Sequence, residues 1–248
     1  LPGKQAQGFP EHQTWKEVIP LQHAVAGQPR PDGQESVFIG YAADTGERVA
    51  WQPGKGTGAR KTNRIMVIVG KIGSGKTQLI KACMHEIAQT GIPSIALDWS
   101  REFRDVLTNS INTNRGTSSK LFTGSTAIHF DHLVQAGGRI DLAGLQTDDL
   151  RVAFGHFLLS KLWLHMRDTV PTARTPFYLV VDEANRLAFP GAPLERVVAE
   201  SKSYGGGAII ASQCGRTFSD TVPTYAACYV ALQCLLDRDA SFMARHMN

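Results

Sequence analysis

Ile65-Met66-Val67-Ile68-Val69-Gly70-Lys71-Ile72-Gly73-Ser74-Gly75-Lys76-Thr77 is the stretch on which the reading of this sequence turns. An uninterrupted apolar run from Ile65 to Val69 suits a strand covered on both faces, as strands of a parallel sheet are. The residues after it fit the spacing GxxxxGK[ST], and Lys76 to Gln89 reads as a helix. Strand, glycine-rich loop and helix in that order form a phosphate cradle. Glycines let successive backbone N–H groups curl around a polyphosphate, and the helix adds the positive end of its dipole. Gly70, Lys71, Ile72, Gly73, Ser74, Gly75, Lys76 and Thr77 are therefore the expected nucleotide-binding loop. Lys76 is expected at the β- and γ-phosphates, and the Thr77 hydroxyl on Mg²⁺.

Downstream, apolar runs alternate with helical stretches. Ser94 to Asp98, Arg139 to Leu142, Tyr178 to Asp182, Ala208 to Ser212 and Cys228 to Leu232 read as strands, and Asp149 to Met166 as a helix with Leu150, Phe154, Phe157 and Leu158 on its apolar stripe. The expected fold is α/β, a mostly parallel sheet flanked by helices. Upstream, Val37 to Tyr41 and Arg48 to Trp51 flank Asp44-Thr45-Gly46 and predict a hairpin. Residues 1–35, broken by Pro2, Pro10, Pro20, Pro29 and Pro31, read as a lead-in with one short helix near Thr14 to Val18, and residues 36–248 as one ATPase domain.

Two further strand ends carry chemistry. Asp182 and Glu183 close the run Tyr178 to Val181. The first carboxylate suits Mg²⁺ and the second suits the water that attacks a γ-phosphate. Gln213 follows the run Ala208 to Ser212, and beside the phosphate-loop strand its amide would lie over the γ-phosphate; the alternative is an ordinary strand-ending residue.

These motifs resemble the HerA/FtsK superfamily of RecA-like motor ATPases over residues 37–243. The resemblance rests on the hairpin, the phosphate loop, Ala96-Leu97-Asp98 with Glu102-Phe103, Asp182-Glu183-Ala184-Asn185, Tyr204-Gly205 leading to Ile209-Ile210-Ala211-Ser212-Gln213, and the late strand Tyr229 to Leu232 followed by Asp237 and Asp239. It implies ATP and Mg²⁺ as cofactors, DNA as partner, a homo-oligomeric ring that is typically hexameric, and helicase or translocase activity. Helicase-like ATPases of antiphage and modification-dependent restriction systems carry such a domain, as do type IV secretion and conjugation motors whose cargo is protein. A nucleotide-gated assembly module with slow turnover is the third reading. Two positions depart from the family. Ile72 stands where Thr is usual, and Lys202 stands where a trans-acting Arg is usual. Lysine lacks the planar fork of arginine, so Arg216, Arg238 or Arg196 is the expected finger, with Arg216 preferred.

The 248 residues are 42% apolar and 19% charged, which excludes wholesale disorder. No apolar run approaches the roughly 20 residues of a membrane helix. A net charge of +4 is compatible with an acidic partner. Arg101 to Ser125 reads as a solvated loop, with phosphate contact through Arg101, Arg104 and Arg115 as the alternative. Cys83, Cys214, Cys228 and Cys234 lack metal spacing and read as free thiols of a reducing compartment, so a cytoplasmic setting is expected. His129-Phe130-Asp131-His132 reads as a surface strand edge rather than a metal pair, and Trp51 and Tyr41 as hairpin packing. The sequence opens on Leu1 with no visible signal peptide and reads as part of a longer chain.

Overall fold

The computed structural model describes residues 36–54, 63–107, 110–112, 130–168, 177–215, 218–233 and 237–247. The lead-in and its short helix therefore lie outside the described residues. Strands β1 (Val37–Tyr41) and β2 (Arg48–Trp51) form an antiparallel hairpin. Its turn is closed by Gly46, at φ 69°, whose N–H donates to Ala42 O.

The main sheet contains β3 (Ile65–Val69), β4 (Ser94–Asp98), β5 (Ser110–Asn112), β6 (Gly138–Asp141), β7 (Tyr178–Val181), β8 (Gly207–Ser212) and β9 (Cys228–Ala231). Their order is β5-β6-β4-β7-β8-β3-β9, and every pairing is parallel. Helices α1 (Lys76–Ala88), α2 (Phe130–Ala136), α3 (Asp148–Asp168), α4 (Pro193–Glu200), α5 (Thr221–Tyr225) and α6 (Asp237–Met247) connect or follow them.

Side-chain alternation along β3 builds the two cores. Ile65, Val67 and Val69 join Leu97, Leu179 and Ile210 on one face, against Phe154, Leu158 and Leu162 of α3 and Val197 of α4. Met66 and Ile68 face the other way, with Val180 and Ile209, against Ile80, Met84 and Ile87 of α1. Val37 and Trp51 of the hairpin complete this second core, and Trp51 meets Tyr178 edge-on at 6.3 Å. Tyr41 is 56% exposed and takes no part in it.

Three expectations change. His132 lies on a helix and not a strand edge, because Phe130 to Ala136 forms α2, with Leu133 and Val134 buried; His129 lies outside the described residues. A short strand, β5, interrupts the segment read as a loop, and it pairs with β6. Phe157, placed on the apolar stripe of α3, is 37% exposed and packs on Phe154 under the Lys161 ammonium.

One charged network lies within the sheet. Asp98, fully buried, accepts from the N–H groups of Ser100, Glu102 and Phe103 and from Arg139 at 3.1 Å. Arg139 also lies 3.7 Å from Asp141, and Arg101 donates to both oxygens of Asp141. Removing Asp98 leaves the buried Arg139 guanidinium short of a partner. Asp98→Ala should lower the unfolding free energy by roughly 3–5 kcal/mol, read as a fall in the urea midpoint. A midpoint shift equivalent to less than about 1 kcal/mol would show that the network does not matter to the fold.

Candidate functional site

The phosphate loop joins β3 to α1 at the carboxyl ends of the strands, where open parallel sheets bind ligands. Its start is fixed by backbone alone. Gly70 N–H donates to Ser212 O of β8, and Lys71 N–H donates to Gln233 O beyond β9. A Cβ on Gly70 would stand 2.5 Å from Ser74 Oγ and 2.8 Å from Leu232 Cβ, so only glycine fits. Gly73 and Gly75 take φ of 77° and 93°, the left-handed region that side chains avoid. A Cβ at either would meet nothing within 4 Å, so the requirement there is conformational.

Lys76 is 6% exposed, and its ammonium donates to Gly70 O at 2.8 Å and Lys71 O at 3.1 Å. Among the described residues no carboxylate lies within ion-pair distance of it. A buried cation held only by carbonyl dipoles is poorly compensated. Ser74 Oγ, packed against Gly70 of the same loop, is buried with no hydrogen-bond partner. The amino end of α1 has no side-chain cap and no acidic residue in its first turn, leaving its N–H groups to an external acceptor. A buried ammonium, an orphaned hydroxyl and an uncapped helix start converge on one place and fit a phosphate group.

Across the crevice, Thr77 Oγ1 donates to Asp182 Oδ2 at 2.9 Å. The two oxygen-bearing side chains expected at Mg²⁺ are thus in contact. Among the described residues no cluster of three or more His, Cys, Asp or Glu side chains forms a metal cage. Mg²⁺ suits the Thr77–Asp182 pair, because that ion is commonly held by one or two protein oxygens, substrate phosphates and water. Burial pushes the Asp182 carboxyl above its ordinary pKa; the Thr77 hydroxyl, the Glu183 N–H and the Lys76 charge pull it back, while the Glu183 charge adds to the rise.

Glu183 follows at φ 53° and ψ 40°, a left-handed conformation costing a side chain roughly 1–2 kcal/mol. That twist turns its carboxylate away from Asp182 toward β8. There Gln213 Nε2 donates to both carboxylate oxygens, at 2.9 and 3.0 Å. β8 lies between β3 and β7, so the topology sets Gln213 between the phosphate loop and the acidic strand end. The sequence had indicated each residue but not this contact, which depends on the backbone angle of Glu183.

The finger candidates separate. The Arg196 guanidinium sits 5.4 Å over the Trp163 ring, which Arg167 also approaches at 5.0 Å. Lys202 is exposed on the helical turn Ser201–Tyr204. Arg238 lies on α6, and Arg216 lies outside the described residues. Arg101 is engaged with Asp141 rather than held out for a ligand, Arg104 is exposed, and Arg115 lies outside the described residues. Cys83 and Cys228 are free, and burial raises both thiols to about 12, so they are inert packing groups. The Cys214 thiol donates to Asp239 Oδ1 at 2.9 Å, and Cys234 lies outside the described residues.

No family model matches the chain, and no curated protein matches it significantly. Solved structures do. VirB4 of Thermoanaerobacter pseudethanolicus is 16% identical, with 90% of this chain and 92% of that one covered, at a TM-score of 0.62. The genome packaging NTPase of Sulfolobus turreted icosahedral virus 2, in complex with ATP-gammaS, is 17% identical over 75% of this chain and 82% of that one, at 0.51. The cytoplasmic domain of the type VII secretion ATPase EccC of Thermomonospora curvata is 15% identical over 82% of this chain, at 0.53, and the match spans 22% of that chain. The likeness establishes the fold, that of the RecA-like P-loop ATPases.

Because the Lys76 charge is held only by carbonyls, removing it should not cost the ligand-free protein stability. Lys76→Met is expected to melt at or above the parent temperature without nucleotide. A fall of more than about 4 °C in a thermal melt would show the ammonium to be a structural element.

Proposed function

We propose that this domain hydrolyses ATP with Mg²⁺ and belongs to the HerA/FtsK type of ring-forming motors, its cargo being DNA. The observation that carries the reading is the buried Lys76 ammonium, with the unpartnered Ser74 hydroxyl in the same loop. A polyphosphate supplies the negative charge and the acceptors that this pocket lacks.

Thr77 and Asp182 would hold Mg²⁺, which when bound neutralises charge on the phosphates. Lys76 would move from the Gly70 and Lys71 carbonyls to phosphate oxygen. Glu183 would orient a water and take its proton as the water oxygen bonds to the γ-phosphorus. The bond from that phosphorus to the bridging oxygen breaks, giving ADP and phosphate. Gln213 would report the presence of the γ-phosphate from the adjacent strand end.

DNA as cargo is supported by the genome-packaging role in the name of one structural neighbour and by the net charge of +4. Protein cargo is the second reading, supported by the secretion role in the name of another. No described helix is long and apolar enough to cross a membrane; a cytoplasmic setting belongs to the proposal. A homo-oligomeric ring, taken as a hexamer, would set the nucleotide at a subunit interface, with Arg216 as the finger reaching a neighbour's phosphate.

Two measurements test this. Glu183→Gln should keep Mg·ATP binding within about threefold while kcat falls by roughly 10²–10⁴, whereas Lys76→Ala should lose both. Retained turnover in Lys76→Ala refutes the site. Turnover per subunit should also rise with protein concentration and be stimulated by DNA, and Arg216→Ala should flatten the concentration dependence by removing a contact worth about 10³–10⁵ in rate. Fast turnover by a species shown to be monomeric in sedimentation would contradict the ring. ATP binding without turnover under any condition would favour a nucleotide-gated assembly module.

A further inference from the structure

The Gln213–Glu183 contact is not one that water activation requires. A carboxylate that accepts on both oxygens from one amide is held in place, with the acceptor sites between its two oxygens turned to Nε2. The restraint comes from three sides. The Glu183 backbone is in the left-handed region, its N–H is tied to Asp182 Oδ1 at 2.9 Å, and its carboxylate is tied to Gln213. Gln213 in turn begins where β8 touches the phosphate loop, since the residue before it, Ser212, is fully buried and accepts the Gly70 N–H at 3.2 Å.

We propose that Gln213 is a positioning residue that trades its amide between two anions, holding the Glu183 carboxylate when the nucleotide site is empty and releasing it to water when a γ-phosphate takes the amide instead. The proposal rests on the ATPase reading and deepens it. The same N–H groups cannot serve the carboxylate and a phosphate at full strength, and a γ-phosphate bears more negative charge than a carboxylate. ADP lacks that group, so the carboxylate returns to the amide after phosphate leaves. Hydrolysis is thereby conditional on the γ-phosphate being seated, which guards against a base poised in an empty site. Gln213 would act through Glu183 in the empty state and on the phosphate in the loaded one.

The test is a double-mutant cycle of melting temperature with Glu183→Ala, Gln213→Ala and the double variant, each without nucleotide, with Mg·ADP and with saturating Mg·ATPγS. The backbone cost of Ala in the left-handed region appears on both sides of the cycle and cancels. Without nucleotide and with ADP, the two losses should be non-additive by about 4 °C or more, as expected for a hydrogen bond to a charged group. With ATPγS, the coupling should fall to within about 1 °C. Gln213→Met, of similar length and unable to donate, replaces Gln213→Ala in the cycle if that variant does not fold. Additive losses without nucleotide would overturn the proposal, as would coupling of equal size in all three states, which marks a fixed structural pair. If ATPγS raises the melting temperature of the parent not at all, the ATPase reading itself fails and carries the proposal with it.

Discussion

A buried ammonium with no carboxylate in ion-pair reach among the described residues is the constraint around which this protein is arranged. Lys76 lies inside the turn from β3 to α1, and among the described residues the acceptors it meets are two carbonyl oxygens of its own loop. Placing a cation there is unfavourable unless an anion arrives. The surrounding features serve that arrangement. Gly70 admits the Ser74 side chain, Gly75 starts a helix with no cap of its own, and the parallel pairing of β3 with β8 and β9 anchors both sides of the turn. The loop holds its shape through the backbone, leaving the side-chain charge to the ligand.

The strand order then places the rest of the chemistry. Because β8 is inserted between β3 and β7, whatever follows β8 lies between the phosphate loop and the acidic pair. Asp182 is drawn back onto Thr77, while the left-handed backbone at Glu183 sends the next carboxylate to Gln213. Adjacent acids in the sequence are thereby separated into two sets of contacts by one backbone angle. On the far side of β7, the Asp98–Arg139–Asp141–Arg101 network holds the neighbouring strand ends together. It is a support for the rim.

Much of this was legible beforehand, and for identifiable reasons. Buried parallel strands require unbroken apolar runs, so β3, β4, β7 and β8 stood out within a residue or so of their observed ends. The phosphate loop was legible because its glycines answer to backbone angles that few other residues adopt. Less visible was β5, since Ser110-Ile111-Asn112 carries too little apolar pattern to register as a strand. The helix Phe130–Ala136 is too short for a helical period to show, since in its seven residues only Leu133 and Val134 are buried. Long-range pairing was invisible in principle. Nothing local in Arg139 signals Asp98, 41 positions away, and nothing in Gln213 signals Glu183, 30 positions away.

The central claim is that the Lys76 pocket exists to receive the β- and γ-phosphates. Calorimetric titration of the protein with Mg·ATP and with AMP compares a ligand that carries those groups with one that lacks them. The account predicts that Mg·ATP binds at least about 100-fold more tightly, which is roughly 2.7 kcal/mol of differential contact. Equal affinities for the two nucleotides would contradict it, since the buried ammonium would then be facing something other than a polyphosphate.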